Sequence, residues 1–257
     1  MEQGWVKTIA DFEGQVARII FHHPQSNSLP GLLLRELAQH IQDAGNNTDY
    51  KVIVLQSEGS KVFCAGASFD ELAAIQTKVQ GLAFFSGFAL VINAIRKAPK
   101  FVICRVQNKT VGGGVGIACS ADYTFATAAS SAKLSELAVG IGPFVVGPAV
   151  ERKIGKAAFQ HITINATAWY SAAWAKEKGM YADVFETDEE MDIAITNLIQ
   201  KLVKSNPEAM AMLKKVFWED YTNWDTLLFE RAEMSGNLVL SDFTKKAIAG
   251  FKANTAR

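Results

Sequence analysis

The residues whose types and spacing could do chemistry are three consecutive glycines, Gly112-Gly113-Gly114, and a fourth, Gly66, in a similar setting earlier in the chain. The triplet follows an apolar, strand-like run, Phe101-Val-Ile-Cys-Arg-Val106, and opens a small apolar stretch, Ile117-Ala-Cys-Ser120, that reads as helix. Glycines there let the backbone turn tightly and carry no side chain to hold a ligand away. The first N–H groups of the helix lack internal acceptors, so they point into the space the glycines leave. Such a place suits a phosphate or the negative oxygen that develops during a reaction. Gly66 lies in Val62-Phe-Cys-Ala-Gly-Ala-Ser-Phe-Asp-Glu-Leu72, again apolar strand, small-residue turn and polar helix start. One glycine-rich turn is most often only a turn. Two strand–turn–helix junctions that each aim an N–H at a common point match what an enolate-forming or acyl-transfer enzyme needs.

Two segments carry a family resemblance. Phe63-Cys-Ala-Gly-Ala-Ser-Phe-Asp-Glu-Leu72 resembles the first signature of the crotonase (enoyl-CoA hydratase/isomerase) superfamily, and Gly112-Gly-Gly-Val-Gly-Ile-Ala-Cys-Ser-Ala-Asp-Tyr123 resembles the second. The similarity extends from about Val16 into the C-terminal part, and so spans nearly the whole chain. It implies an α/β crotonase-like spiral of ββα repeats with a C-terminal helical extension. It also implies a coenzyme A thioester as substrate, with no separate cofactor, and a homotrimer or a dimer of trimers.

By the same resemblance the backbone N–H groups of Ala67 and Gly113 form the oxyanion hole. The backbone from Cys64 through Ala65 and Gly66 to Ala67 is expected to contact the nucleotide end of coenzyme A, and Lys252 to reach its phosphates. The hydratases of the family hold water between two glutamates. The position of the first is Gly116 here, and that of the second is Glu136, in Leu134-Ser-Glu-Leu-Ala-Val-Gly-Ile-Gly142. Glycine cannot orient or deprotonate water. One carboxylate can still move a proton, removing it from the α-carbon of a thioester and returning it to C4 while Ala67 and Gly113 hold the enolate oxygen. The expectation is therefore a Δ3,Δ2-enoyl-CoA isomerase with Glu136 as its base. The alternatives are an enoyl-CoA hydratase working with one glutamate, a decarboxylase, or a non-catalytic acyl-CoA-binding member. The dienoyl-CoA isomerase branch places an aspartate where this chain has Phe144, which sets that branch aside. Apolar neighbours, Ile141, Pro143, Phe144 and Val145, would raise the pKa of Glu136 by desolvation. Glu151 and Arg152 read as ion-paired or solvated, Asp122 as structural, and Asp70 and Glu71 as caps of the helix after the first loop.

The elements that must position these residues follow from periodicity. Val6 to His22 reads as two strands joined at Asp11-Phe-Glu-Gly14, and Ser28 to Asn46 as a helix with Ser28 as N-cap. A strand over 51–56 precedes the first loop, and a helix runs from about Asp70 to Ala98. Helices are expected near 147–163, 171–179, 188–204, 207–221, 224–239 and 241–253, with Asn206-Pro207 a start signal. Residues 1–200 read as an acyl-CoA-binding core, and 201–257 as a helical region for trimerisation and pocket covering. At 257 residues, 49% of them hydrophobic, the chain fits a layered α/β enzyme. With 26 basic and 26 acidic residues it carries no global field to recruit nucleic acid or an anionic membrane. The three cysteines and four histidines lack metal-ligand spacing and suggest buried, reduced thiols. No basic-then-apolar leader and no membrane-length apolar run is apparent, so the expected location is the cytoplasm.

Overall fold

The computed structural model describes residues 4–255, with side chains through 251. It opens with an antiparallel hairpin, β1 (Trp5–Asp11) and β2 (Val16–His22). Phe12, Glu13 and Gly14 turn the chain there at φ 50, 56 and 84°. Then follow α1 (Gly31–Asn46), β3 (Val52–Ser57), β4 (Val62–Cys64), α2 (Phe69–Ala74), α3 (Lys78–Lys97), β5 (Phe101–Val106), β6 (Lys109–Val111) and α4 (Gly113–Ser120). The middle of the chain gives β7 (Tyr123–Thr127), β8 (Ser131–Lys133), α5 (Gly147–Ile154), α6 (Lys156–Ile164), β9 (Tyr170–Ser171), α7 (Ala172–Glu177) and β10 (Asp183–Phe185). Four helices close it: α8 (Asp188–Leu202), α9 (Pro207–Phe217), α10 (Trp224–Leu238) and α11 (Asp242–Thr255).

The strands form two sheets. The larger runs β1-β2-β3-β5-β7-β10, parallel from β2 onward, and the smaller runs β4-β6-β8-β9, parallel except for β9. Sequence order alternates between them. β3, β5 and β7 in the larger sheet are each followed at once by β4, β6 and β8 in the smaller, and then by helix. That is three turns of a ββα spiral, and both glycine-bearing loops leave the same edge of the smaller sheet.

Alternation along β3 explains the layering. Val52 and Val54 join Ile103, Phe125 and the α8 residues Met191, Ile195 and Ile199 on one face. Ile53 and Leu55 join Leu34, Leu37 and Ile41 of α1 on the other. Each fully buried aliphatic side chain contributes about 1.5–3 kcal/mol, so the pattern fixes the register of the parallel sheet. All eight residues of α4 are buried, which its small and apolar composition permits.

Several boundaries differ from the sequence reading. The N-cap of α1 is Pro30, and Ser28 instead bonds His23 Nδ1 at 3.0 Å. Glu71 does not cap its own helix: its Oε2 accepts from Gly31 N at 2.6 Å at the start of α1, while Ser68 caps α2. The single helix expected from Asp70 to Ala98 is two, because Thr77 and Gln80 form a capping box that starts α3 afresh. Gly155, at φ 78°, likewise splits the expected 147–163 helix into α5 and α6. By length and composition α3 does reach membrane-spanning dimensions, contrary to the sequence reading, but it packs between α1 and α10 as a core helix.

Candidate active site

The two glycine-bearing loops touch. Gly66 has φ 87°, and a Cβ there would lie 2.9 Å from Val111 O and 3.6 Å from Gly113 N. The triplet glycines are required for separate reasons. Gly112 sits at φ 53° with Glu136 Oε1 3.0 Å from where its Cβ would be; a Cβ on Gly113 would strike the Phe88 ring at 2.1 Å; one on Gly114 would strike Cys64 Cβ at 2.6 Å. Gly112 N donates to Lys133 O at 2.8 Å, tying the second loop to the end of β8. Ala67 N and Gly113 N make no hydrogen bond among the described residues, so both remain free as donors beside the cleft.

Glu136 follows β8 and starts a single 3-10 turn, Leu137–Val139, with its own carbonyl accepting from Val139 N at 3.2 Å and Ile141 N at 2.9 Å. Those bonds fix its backbone and turn the side chain inward. The residue as a whole is half-buried, but its Oε2 is sealed from solvent and has no hydrogen-bond partner. Burial pushes its pKa up to about 7, against a smaller opposing effect of its own backbone amide. The cleft holds about 570 Å³ of atom-free space, part of it open to solvent. Its walls are mainly apolar, with Leu72, Phe85, Phe88, Ile141 and Phe144 prominent.

The position of the missing glutamate is filled. A Cβ on Gly116 would lie 2.4 Å from Val146 Cβ and 2.5 Å from its Cγ1. Val146 itself lines the cleft. Glycine at 116 is therefore a packing requirement as well as the absence of an acid.

The remaining expected residues separate. Cys64, Ala65, Gly66 and Ala67 share one loop, but Ala65 N is engaged by Ser26 O at 3.1 Å and Gly66 N by Cys64 Sγ at 3.3 Å. Burial pushes the Cys64 thiol up to about 12, which makes it inert. Lys252 falls within α11, and its side chain lies outside the described residues. Arg152 is half-buried and does not pair with Glu151: its guanidinium stacks 3.7 Å above the Trp218 ring and donates to Phe217 O at 2.9 Å.

Sequence reasoning missed one buried ion pair outside the cleft and one residue of the cleft wall. Lys214 of α9 reaches Asp122 at 2.5 Å, with both side chains nearly sealed, and Asp122 also accepts from Val102 N and Trp218 Nε1. Lysine and aspartate ninety residues apart leave no local signal. Ser235 of α10 also lines the cleft, although it lies far outside both signatures.

Comparison with solved structures places the fold. The chain superposes with a TM-score of 0.88 on an enoyl-CoA hydratase from Bacillus halodurans, at 19% identity over 95% of this chain and 99% of that one. The architecture is thus the crotonase-like α/β fold, as the resemblance implied. The enoyl-CoA hydratase/isomerase family model matches residues 11–253, and the chain belongs to that family. A short-chain-enoyl-CoA hydratase from Clostridium acetobutylicum is 26% identical, covering 95% of this chain and 93% of its own. The bacillaene synthase dehydratase PksH of Bacillus subtilis is 29% identical, covering 79% of this chain and 77% of its own.

Proposed function

We propose that this acyl-CoA enzyme is a Δ3,Δ2-enoyl-CoA isomerase. The observation that carries the reading is a solitary carboxylate, Glu136, enclosed in an apolar cleft whose second acid position is closed by Val146. In the proposed reaction the Glu136 carboxylate takes a proton from C2 of a 3-enoyl thioester. The C–H electron pair moves toward the thioester carbonyl, and the oxygen becomes a dienolate held by the N–H groups of Ala67 and Gly113. The protonated Glu136 then gives the proton to C4, and the electrons return as a C2–C3 double bond. No water is added and no redox change occurs. Glu136, with its pKa near 7, suits both halves of this transfer, since a base close to neutrality accepts and releases a proton with similar ease.

The backbone of Cys64 to Ala67 and the side chain of Lys252 are proposed to hold the nucleotide portion of the substrate. Coenzyme A is part of the substrate in this scheme. The homotrimer is likewise proposed, with the exposed apolar side chains of α9 as a contact surface.

Hydration of a 2-enoyl thioester is the second reading, and it is favoured by the relatives, most of which are named as hydratases. The two separate in one experiment. Pure protein is incubated with a 3-enoyl-CoA and with a 2-enoyl-CoA in heavy-oxygen water, and products are weighed. Conversion of the first without mass gain supports the isomerase; heavy oxygen entering the second overturns it in favour of hydration.

A further inference from the structure

We infer that Ser235 reads the far end of the acyl chain and selects thioesters bearing a neutral hydrogen-bonding group there; this rests on the acyl-CoA site proposed above.

The placement follows from two helix contacts. Phe88 of α3 touches the oxyanion end of the cleft, since its ring occupies the space beside Gly113. Two turns earlier on α3, Gly81 meets Gly236 of α10 so closely that a Cβ on Gly81 would lie 2.6 Å from Gly236 O. At 1.5 Å per residue, Gly81 and Phe88 are about 10 Å apart along the helix axis. Ser235 adjoins Gly236, so it meets the cleft about that far from the reacting carbonyl, with Phe85 on the wall between.

The chemistry follows from how Ser235 is held. Ser235 is 1% exposed and lines the cleft, and its hydroxyl makes no hydrogen bond among the described residues. Ser120 and Ser205 instead turn their hydroxyls back to the carbonyl four residues earlier, at 2.7 and 3.0 Å. A hydroxyl that reaches the cleft wall without a protein partner is satisfied when a bound ligand group hydrogen-bonds to it. Among the described residues no Lys, Arg or His lines the cleft, and Glu136 is there to repel an anion. A distal carboxylate is therefore disfavoured. A hydroxyl, ketone or ether oxygen fits.

Binding of unreactive saturated thioesters tests this without any turnover. Butyryl-, hexanoyl- and octanoyl-CoA, each with and without a hydroxyl on the last carbon, are titrated by calorimetry against the wild type and Ser235→Ala. The wild type is expected to bind one hydroxylated length about five- to tenfold tighter than its plain counterpart, and Ser235→Ala to abolish that preference. Wild-type protein that shows no preference at any length overturns the inference, as does a preference that survives in Ser235→Ala. Because these ligands lack a double bond, failure of the isomerase reading would leave the result intact. A melting curve of Ser235→Ala confirms that the variant is folded; if it is not, Ser235→Gly takes its place, and a wild type without any preference still overturns the inference.

Discussion

The sealed Oε2 of Glu136 has no hydrogen-bond partner and burial raises the pKa of the group, so this carboxylate sets the sharpest expectations. Glu136→Gln keeps the shape and removes the base, so kcat on a 3-enoyl-CoA is expected to fall by about 10²–10⁴, with the dissociation constant for a saturated acyl-CoA unchanged. Because the ionised form is the base and its pKa stands near 7, kcat/KM should rise with pH through about 7 and level off above it. Stability should move the other way. The folded pKa is raised above the ordinary 4.5, so the contribution of Glu136 is fully present below 4.5 and is lost as pH rises through about 7. Glu136→Gln should accordingly melt higher than the wild type at pH 8 and no higher at pH 4. Gly116→Glu tests the other acid position. Val146 blocks the new side chain, so the variant is expected to lose about 1–3 kcal/mol in denaturant unfolding and to gain no hydration. Pairing it with Val146→Gly, which removes the clashing Cβ, should recover part of that loss. The convergence of Glu136, Ala67 and Gly113 on one cleft was legible in the sequence because family spacing pins them to turns. The role of Val146 was not, since its contact with Gly116 depends on how α5 approaches α4.

Among the elements, the join between α9 and the sheet depends on one buried ion pair. Lys214→Met would leave the Asp122 carboxylate sealed without its cation, a loss of about 3–5 kcal/mol measurable by urea unfolding. Adding Asp122→Asn should restore much of it, since the amide oxygen can still accept a hydrogen bond. The larger helices were legible from apolar spacing, as were β3, β5 and the hairpin. Short strands were harder. β8 and β9 have three and two residues, too few for alternation to register, and they exist because the smaller sheet supplies partners from distant turns of the spiral. The break between α2 and α3 did have a signal, Thr77 followed by Gln80, which a long apolar run obscured.

For the molecule as a whole, α9 presents Met212, Leu213, Val216 and Phe217 to solvent, a cluster larger than scattered surface residues require. If these form the subunit contact, Met212→Lys with Val216→Lys should shift the sedimenting species toward the monomer at micromolar protein. The repeating passage of the chain between two sheets entered the sequence reading only through the family resemblance, because strand order is a long-range property that local patterns do not carry. Burial of the cysteines has a separate consequence. Cys64 lies beside the site loop, Cys104 in the interior of the larger sheet and Cys119 in α4, and burial raises all three thiols. An alkylating reagent can reach them only when the surrounding layer opens. The order in which they are labelled in mild denaturant is therefore a record of which layer gives way first, written into the native chain without any introduced probe.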